Sequence, residues 1–261
     1  MDGLELEAAG ELLPQNLTAT GRREITHLLR SHDLAVTALT CPIRRGLDQP
    51  QDLEPRLEQI RLTMALAHDL GPRLVIIQAG QIPDFLPSPS ERGAGGEGAM
   101  PEIITGIKLA PEDVRAALMK ESLDALGKHG DRIGVIVALD TGVDAPETVA
   151  AYLDRFDTGS LAVSYNPANL VISGHNPHDA VRTLRHRIVH VHAEDARRIS
   201  PNRMATVPLG HGDLDWLTLL ADLDEIAYRG FSTIKADDGA NLAAGVAFLR
   251  RVMGGSTPNQ K

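Results

Sequence analysis

Short runs of β-branched and aliphatic residues alternate with longer stretches whose apolar positions recur at helical spacing. Leu4-Glu5-Leu6-Glu7 alternates with the period of two expected of a half-buried strand. Ala35 to Thr40 forms the next strand. Leu74-Val75-Ile76-Ile77-Gln78 is apolar almost without interruption, as in a strand covered on both faces. Further strands are predicted over Gly134 to Asp140, Leu161 to Asn166, Ile188 to His192 and Ser232 to Ala236. The first helix is capped by Thr18 or Thr20 and carries Ile25, Leu28 and Leu29 on one face. A second starts near Glu54, tolerates Pro55 in its first turn, shows the stripe Leu57, Ile60, Met64 and Ala67, and stops at Gly71-Pro72. A third runs from Pro111 to Leu126 with Val114, Leu118 and Ala125. Others cover Ala145 to Arg155, Asn176 to His186, Leu214 to Tyr228 and Leu242 to Val252.

Strand and helix alternating at this spacing imply a parallel sheet with right-handed crossovers. The fold class is α/β; a closed (β/α)8 barrel needs eight strands, and the count reaches seven. The deficit lies at the front, because the chain opens almost directly into a strand. An incomplete barrel exposes sheet edges at the strands beginning near Leu4 and Ser232. Residues 1–253 read as one domain, 81–108 as a long mobile loop within it, and 254–261 as a disordered tail.

Aromatic residues make up only 3% of the 261 residues, against 43% hydrophobic, so Leu, Ile, Val and Ala must build the core. The net charge of −9 argues against a general nucleic-acid binder, which needs a basic face. Cys41 is the single cysteine, which rules out an internal disulfide and fits a reducing, cytoplasmic setting. No apolar run approaches the roughly 18 residues of a membrane span. The acidic Met1-Asp2-Gly3-Leu4-Glu5 lacks the apolar stretch of a signal peptide.

The chemically richest stretch is Ile188-Val189-His190-Val191-His192-Ala193-Glu194-Asp195-Ala196-Arg197-Arg198. Strand periodicity puts His190 and His192 on one face, and in a parallel barrel that face ends at the mouth. A second block, Val207-Pro208-Leu209-Gly210-His211-Gly212-Asp213-Leu214-Asp215-Trp216, pairs a Gly-rich loop with an Asp-Trp helix start. With Tyr228-Arg229-Gly230-Phe231, Thr20-Gly21-Arg22-Arg23-Glu24 and Cys41-Pro42-Ile43-Arg44-Arg45-Gly46-Leu47, these segments resemble the xylose-isomerase-like TIM barrels. That superfamily contains sugar and sugar-phosphate isomerases and epimerases. The resemblance covers nearly the whole chain. It implies one more βα unit ahead of the segment matching Gly3 to Ala8. A start assigned too late is the expected reason for its absence, a natively incomplete barrel the other.

The resemblance further implies a divalent metal (Mn, Mg, Co or Zn) held by Glu, Asp, His and Glu from successive strands. The two Glu move a proton between adjacent carbons. The matching positions here are Asp140, Asn166, His192 and Lys235. One carboxylate remains where three are usual, and Lys235 brings a cation to the same place. Like charges at about 4 Å cost roughly 4 kcal/mol at an effective dielectric near 20. A degenerate site is therefore expected, with Lys235 in the metal's place and paired with Asp140. A metal shifted onto neighbours such as His190, Glu194, Asp195 or Asp237 is a second arrangement, and a match displaced by a residue or two at the last strand is a third.

Asp140 and Lys235 are the candidate catalytic groups; Glu7, Gln78, Asn169, His190 and Arg198 are candidate sugar contacts. An Arg198 fork suits phosphate or carboxylate, and its bland alternative is a surface ion pair with Glu194 or Asp195. Cys41 has no evident activating partner, and His211 reads as a loop contact. The expected function is a sugar or sugar-phosphate isomerase or epimerase, with a small-molecule carbohydrate as partner and self-association through helices. The alternative is a non-catalytic carbohydrate-binding or regulatory descendant that has lost the metal. The related apurinic endonucleases need a richer ligand set for several zincs, and the acidic charge opposes DNA.

Overall fold

The computed structural model describes residues 3–83, 111–201, 203–235 and 239–254. The loop expected over 81–108, past residue 83, and the tail expected over 254–261, past residue 254, lie outside the described residues, as does Asp237. Six parallel strands come in order: β1 (Gly3–Glu7), β2 (Ala35–Thr40), β3 (Leu74–Ile77), β4 (Ile136–Asp140), β5 (Leu161–Tyr165) and β6 (Ile188–Ala193). An antiparallel hairpin of β7 (Asp195–Ser200) and β8 (Arg203–Val207) follows, and β9 (Ser232–Ile234) completes the main sheet. Its order is β1-β2-β3-β4-β5-β6-β9, all parallel. These are seven strands of an eight-stranded barrel. Among the described residues β9 does not pair with β1. A cavity of about 400 Å³ lies between them, bordered by Leu4, Leu220, Phe231, Ile234, Leu249 and Met253. Phe231 and Met253 stay 46% and 60% exposed there.

The helices are α1 (Ala19–Ser31), α2 (Leu53–Leu70), α3 (Pro111–Ile133), α4 (Pro146–Leu153), α5 (Pro167–Ile172), α6 (Pro177–Thr183), α7 (Trp216–Glu225) and α8 (Gly239–Gly254). Thr18, not Thr20, caps α1, its hydroxyl accepting from the Gly21 N–H at 3.1 Å. Leu28, expected on the buried face of α1, is 59% exposed. The stripe on α2 is buried as expected, and Gly71 ends the helix in the left-handed region. None of the described helices is long and apolar enough to cross a membrane.

Helix α3 departs from expectation twice. Its buried face is Met119, Ser122, Leu123 and Leu126, one step round from Val114, Leu118 and Ala125. The larger side chains face the sheet, where they remove more apolar area from water. The helix also continues past Leu126 through Gly127 and Gly130, normally poor helix formers. A Cβ on Gly130 would meet the Val135 carbonyl and Ser160, and one on Gly127 would meet Thr158 at 2.7 Å. Close packing on the β4–β5 connection thus outweighs intrinsic preference. Two elements had no expectation: α5, capped by Asn166, and the β7–β8 hairpin.

Between the sheet and its helices lies the large core of Leu39, Ile60, Met64, Val75, Ile77, Leu123, Val137, Leu153 and Val163, among others. A smaller apolar cluster, Ala38, Leu74, Ile76 and Ala138, packs separately. It lies on the opposite face of β2, β3 and β4, inside the barrel. The inward positions of the same strands turn polar toward their C-terminal ends.

Candidate active site at the barrel mouth

Alternation along β6 turns Val191 into the helix-facing core and sends His190 and His192 inward, where both are 1% exposed. Neighbouring strands supply their partners. His192 Nε2 lies 3.1 and 3.2 Å from the two oxygens of Glu5 on β1, and its Nδ1 lies 3.1 Å from Asp140 Oδ1 on β4. A neutral imidazole has one N–H to offer two carboxylates, so the charged form fits best. Burial opposes that charge, but the hydrogen bonds and charges of Asp140 and Glu5 prevail and push the pKa up to about 9. Burial likewise opposes ionisation of Glu5. The hydrogen bond and charge of His192, the charge of His190 and a hydrogen bond donated by Thr40 still bring it down to about 2.

His190 behaves oppositely. Its Nδ1 lies 3.1 Å from Ser164 Oγ on β5, and its Nε2 lies 2.9 Å from Thr233 Oγ1 and 3.3 Å from Glu5 Oε2. Burial and the neighbouring His192 charge hold its pKa down near 4, so it is neutral. The two rings meet edge to face at 4.7 Å.

Above this cluster, at the mouth, the Asn166 amide donates to Glu194 Oε2 at 2.6 Å, and Lys235 Nζ lies 3.8 Å from the same oxygen. Asn169 donates to Asp140 Oδ2 at 3.4 Å. Asp140, Asn169 and Gln78 line a cavity of about 400 Å³, with Arg44 and Arg45 on its rim. The structure therefore gathers Asp140, Asn166, Asn169, His190, His192 and Lys235 in one region. The expected pairing of Lys235 with Asp140 is replaced: His192 holds Asp140, and Lys235, 43% exposed at its side chain, sits beside Glu194. Backbone geometry explains the change, because β9 ends at Ile234 and leaves Lys235 beyond the strand.

Glu7 is exposed at the end of β1. Arg198 stands on the hairpin, donating its backbone N–H to Asp213 and its guanidinium to the Pro201 carbonyl at 2.9 Å. Asp195, considered as a shifted ligand, is buried, and its carboxylate instead accepts from the N–H groups of Ala196, Gly210 and Leu214. Burial pushes the Cys41 thiol up to about 11, far from a reactive thiolate. Glu5, Ser164 and Thr233 were missed. The signal for Glu5 was present: β1 alternation puts Glu5 on the Glu7 face but further inside, and a carboxylate there needs a partner.

Residues 1–252 match the family described as xylose isomerase-like TIM barrel. The chain belongs to that family. A xylose isomerase domain protein from Planctomyces limnophilus superposes on this barrel with a TM-score of 0.79 at 18% identity, covering 97% of this chain and 89% of that one. A D-tagatose 3-epimerase-like protein gives 0.73 at 16% identity, covering 97% and 88%. In sequence, the inosose dehydratase of Clostridium beijerinckii is 23% identical over 195 residues, which span 67% of this chain and 61% of that protein's length. The divalent metal implied by this family does not fit its usual place here. The Asn166 amide donates to Glu194 and its oxygen accepts from the Asn169 N–H at 3.1 Å, and Lys235 adds a positive charge.

Proposed function

We propose that this xylose isomerase-like barrel is a sugar or sugar-phosphate isomerase or epimerase that moves a proton between adjacent carbons without a metal at the mouth. The observation that carries this reading is Asp140. It is an inward carboxylate at the end of β4, fixed by His192 and Asn169, and it borders a cavity large enough for a small carbohydrate. Asp140 takes the proton from the carbon beside a carbonyl and returns it to the neighbouring carbon on the same face of the enediolate. Lys235, beside Glu194, offsets the negative charge that develops on the carbonyl oxygen. Gln78 and Asn169 hold hydroxyls. The names of the relatives, an epimerase-like protein and an inosose dehydratase, support a carbohydrate substrate.

Proton exchange from solvent D2O into a panel of ketoses, keto-inositols and their phosphates, followed by NMR, tests the reading. The wild type is expected to exchange one C–H of at least one compound, and Asp140→Asn to lose about 100-fold or more. Mn²⁺ or Mg²⁺ is expected to leave the rate unchanged. The substitutions at Asn166 and Lys235 favour one second reading, a carbohydrate-binding protein without catalysis. Saturable binding of a sugar with no exchange would establish it, and neither binding nor exchange would remove both.

A further inference from the structure

Below the mouth, Glu5, His190 and His192 form the one group of three or more among the described residues whose His, Cys, Asp or Glu ligand atoms all come within 4.8 Å of one another. Glu5 Oε2 lies 3.1 Å from His192 Nε2 and 3.3 Å from His190 Nε2. Ligands of a tetrahedral ion with bonds near 2.0–2.1 Å stand about 3.3 Å apart, so these separations suit such an ion. Each histidine also has its other nitrogen held, His192 by Asp140 and His190 by Ser164, both at 3.1 Å. That arrangement orients the rings of metal-binding histidines and leaves Nε2 for the ion. Charge agrees as well. The two carboxylates Glu5 and Asp140 beside two neutral imidazoles sum to −2, which one divalent ion offsets. The competing partner of His190 Nε2, the Thr233 hydroxyl at 2.9 Å, can rotate away.

We propose that Glu5, His190 and His192 bind one Zn²⁺-like ion inside the barrel, with water in the fourth position, so that it ties the edge strand β1 to β6. The site shares His192 with the position that other members use but lies on different strands. Two imidazoles and one carboxylate suit Zn²⁺ or Co²⁺, whereas Mg²⁺ prefers an all-oxygen octahedron. This tie spans the interior beside the unpaired edges of β1 and β9, where the sheet has no continuous ladder to hold it.

The test loads the purified full chain with Co²⁺ or Zn²⁺, desalts it, and reads metal content, the visible Co²⁺ spectrum and the melting temperature. One retained equivalent is expected, with four-coordinate Co²⁺ bands and a higher melting temperature. Glu5→Gln and His190→Gln are each expected to weaken binding about 100-fold or more. Lys235→Ala is expected to keep both the equivalent and the spectrum. If Glu5→Gln does not fold, His190→Gln decides, since it removes a neutral side chain. A wild type that retains no metal overturns the proposal. So does an ion that survives both substitutions, or one whose spectrum changes in Lys235→Ala, which would place it at the mouth.

Discussion

Asp195→Ala is expected to destabilise the folded protein by about 3–5 kcal/mol, the range for removing one partner of a buried charged contact. The Asp195 carboxylate is buried at the start of β7 and accepts from three backbone N–H groups, Ala196 at 2.9 Å, Gly210 at 3.1 Å and Leu214 at 3.3 Å. Alanine would leave all three without this acceptor in a space too small to hydrate freely. For a chain of this size each kcal/mol moves the midpoint by roughly 2–4 °C, so a fall of about 10 °C in thermal unfolding is expected. Asp195→Asn, which keeps one acceptor oxygen, is expected to lose distinctly less. The same contact explains the Gly-rich loop. A Cβ on Gly212 would run into the Asp195 carboxylate and, at 2.6 Å, into the Ala196 carbonyl. Gly212→Ala is therefore expected to approach the Asp195→Ala loss. A change within about 1 kcal/mol for both variants, measured by denaturant titration, would show that the loop is not held this way.

Asn166→Asp combined with Lys235→Glu is expected to create Mn²⁺ binding at the mouth. Without metal the double variant should be less stable than the wild type. The introduced aspartate would face Glu194 where the Asn166 amide now donates at 2.6 Å, and the introduced glutamate would replace the Lys235 cation 3.8 Å from the same oxygen. Like charges about 4 Å apart cost roughly 4 kcal/mol at an effective dielectric near 20. Mn²⁺ reverses the sign, because Asp140, His192 and the two new carboxylates then surround it with three anions and an imidazole. An ion at about 100 times its Kd returns about 2.7 kcal/mol by mass action. Titration calorimetry should find one mouth site in the double variant, and thermal unfolding should show the metal raising a midpoint that began low. If the double variant binds no Mn²⁺, Asn166 and Lys235 do not occupy the family's ligand positions.

Most of the seven parallel strands were legible as short aliphatic runs bounded by turn residues, β1 by its period-two alternation, and β2 matches its expected ends, Ala35 and Thr40. The hairpin was not. Asp195–Ser200 is dominated by charged and polar side chains, and Arg203–Val207, though it carries Met204, Ala205 and Val207, is only five residues long and runs straight into the Gly-rich loop. At the site, His192 and Asp140 could be anticipated because strand periodicity and family likeness agree on them. Glu5 could not be matched to His192, since nothing local links residues 187 positions apart. Lys235 was expected inside a strand reaching Ala236 but falls just past its end at Ile234, and its partner depended on where Glu194 turns after β6. That turn is set by a backbone hydrogen bond from Glu194 N–H to the His192 carbonyl.

The unpaired flanks of β1 and β9 also bear on how the molecule comes apart. Among the described residues each has a backbone ladder on one side only, whereas β4 is hydrogen-bonded on both. Joining segments as remote as Glu5 and His192 carries a loop-closure entropy of about 4–5 kcal/mol beyond a constant. Native-state opening is therefore expected to begin at this seam, with amides of β1 and β9 exchanging through a low-energy partial unfolding that hydrogen exchange would detect. Those of β4 and β5 wait for the cooperative loss of the whole structure.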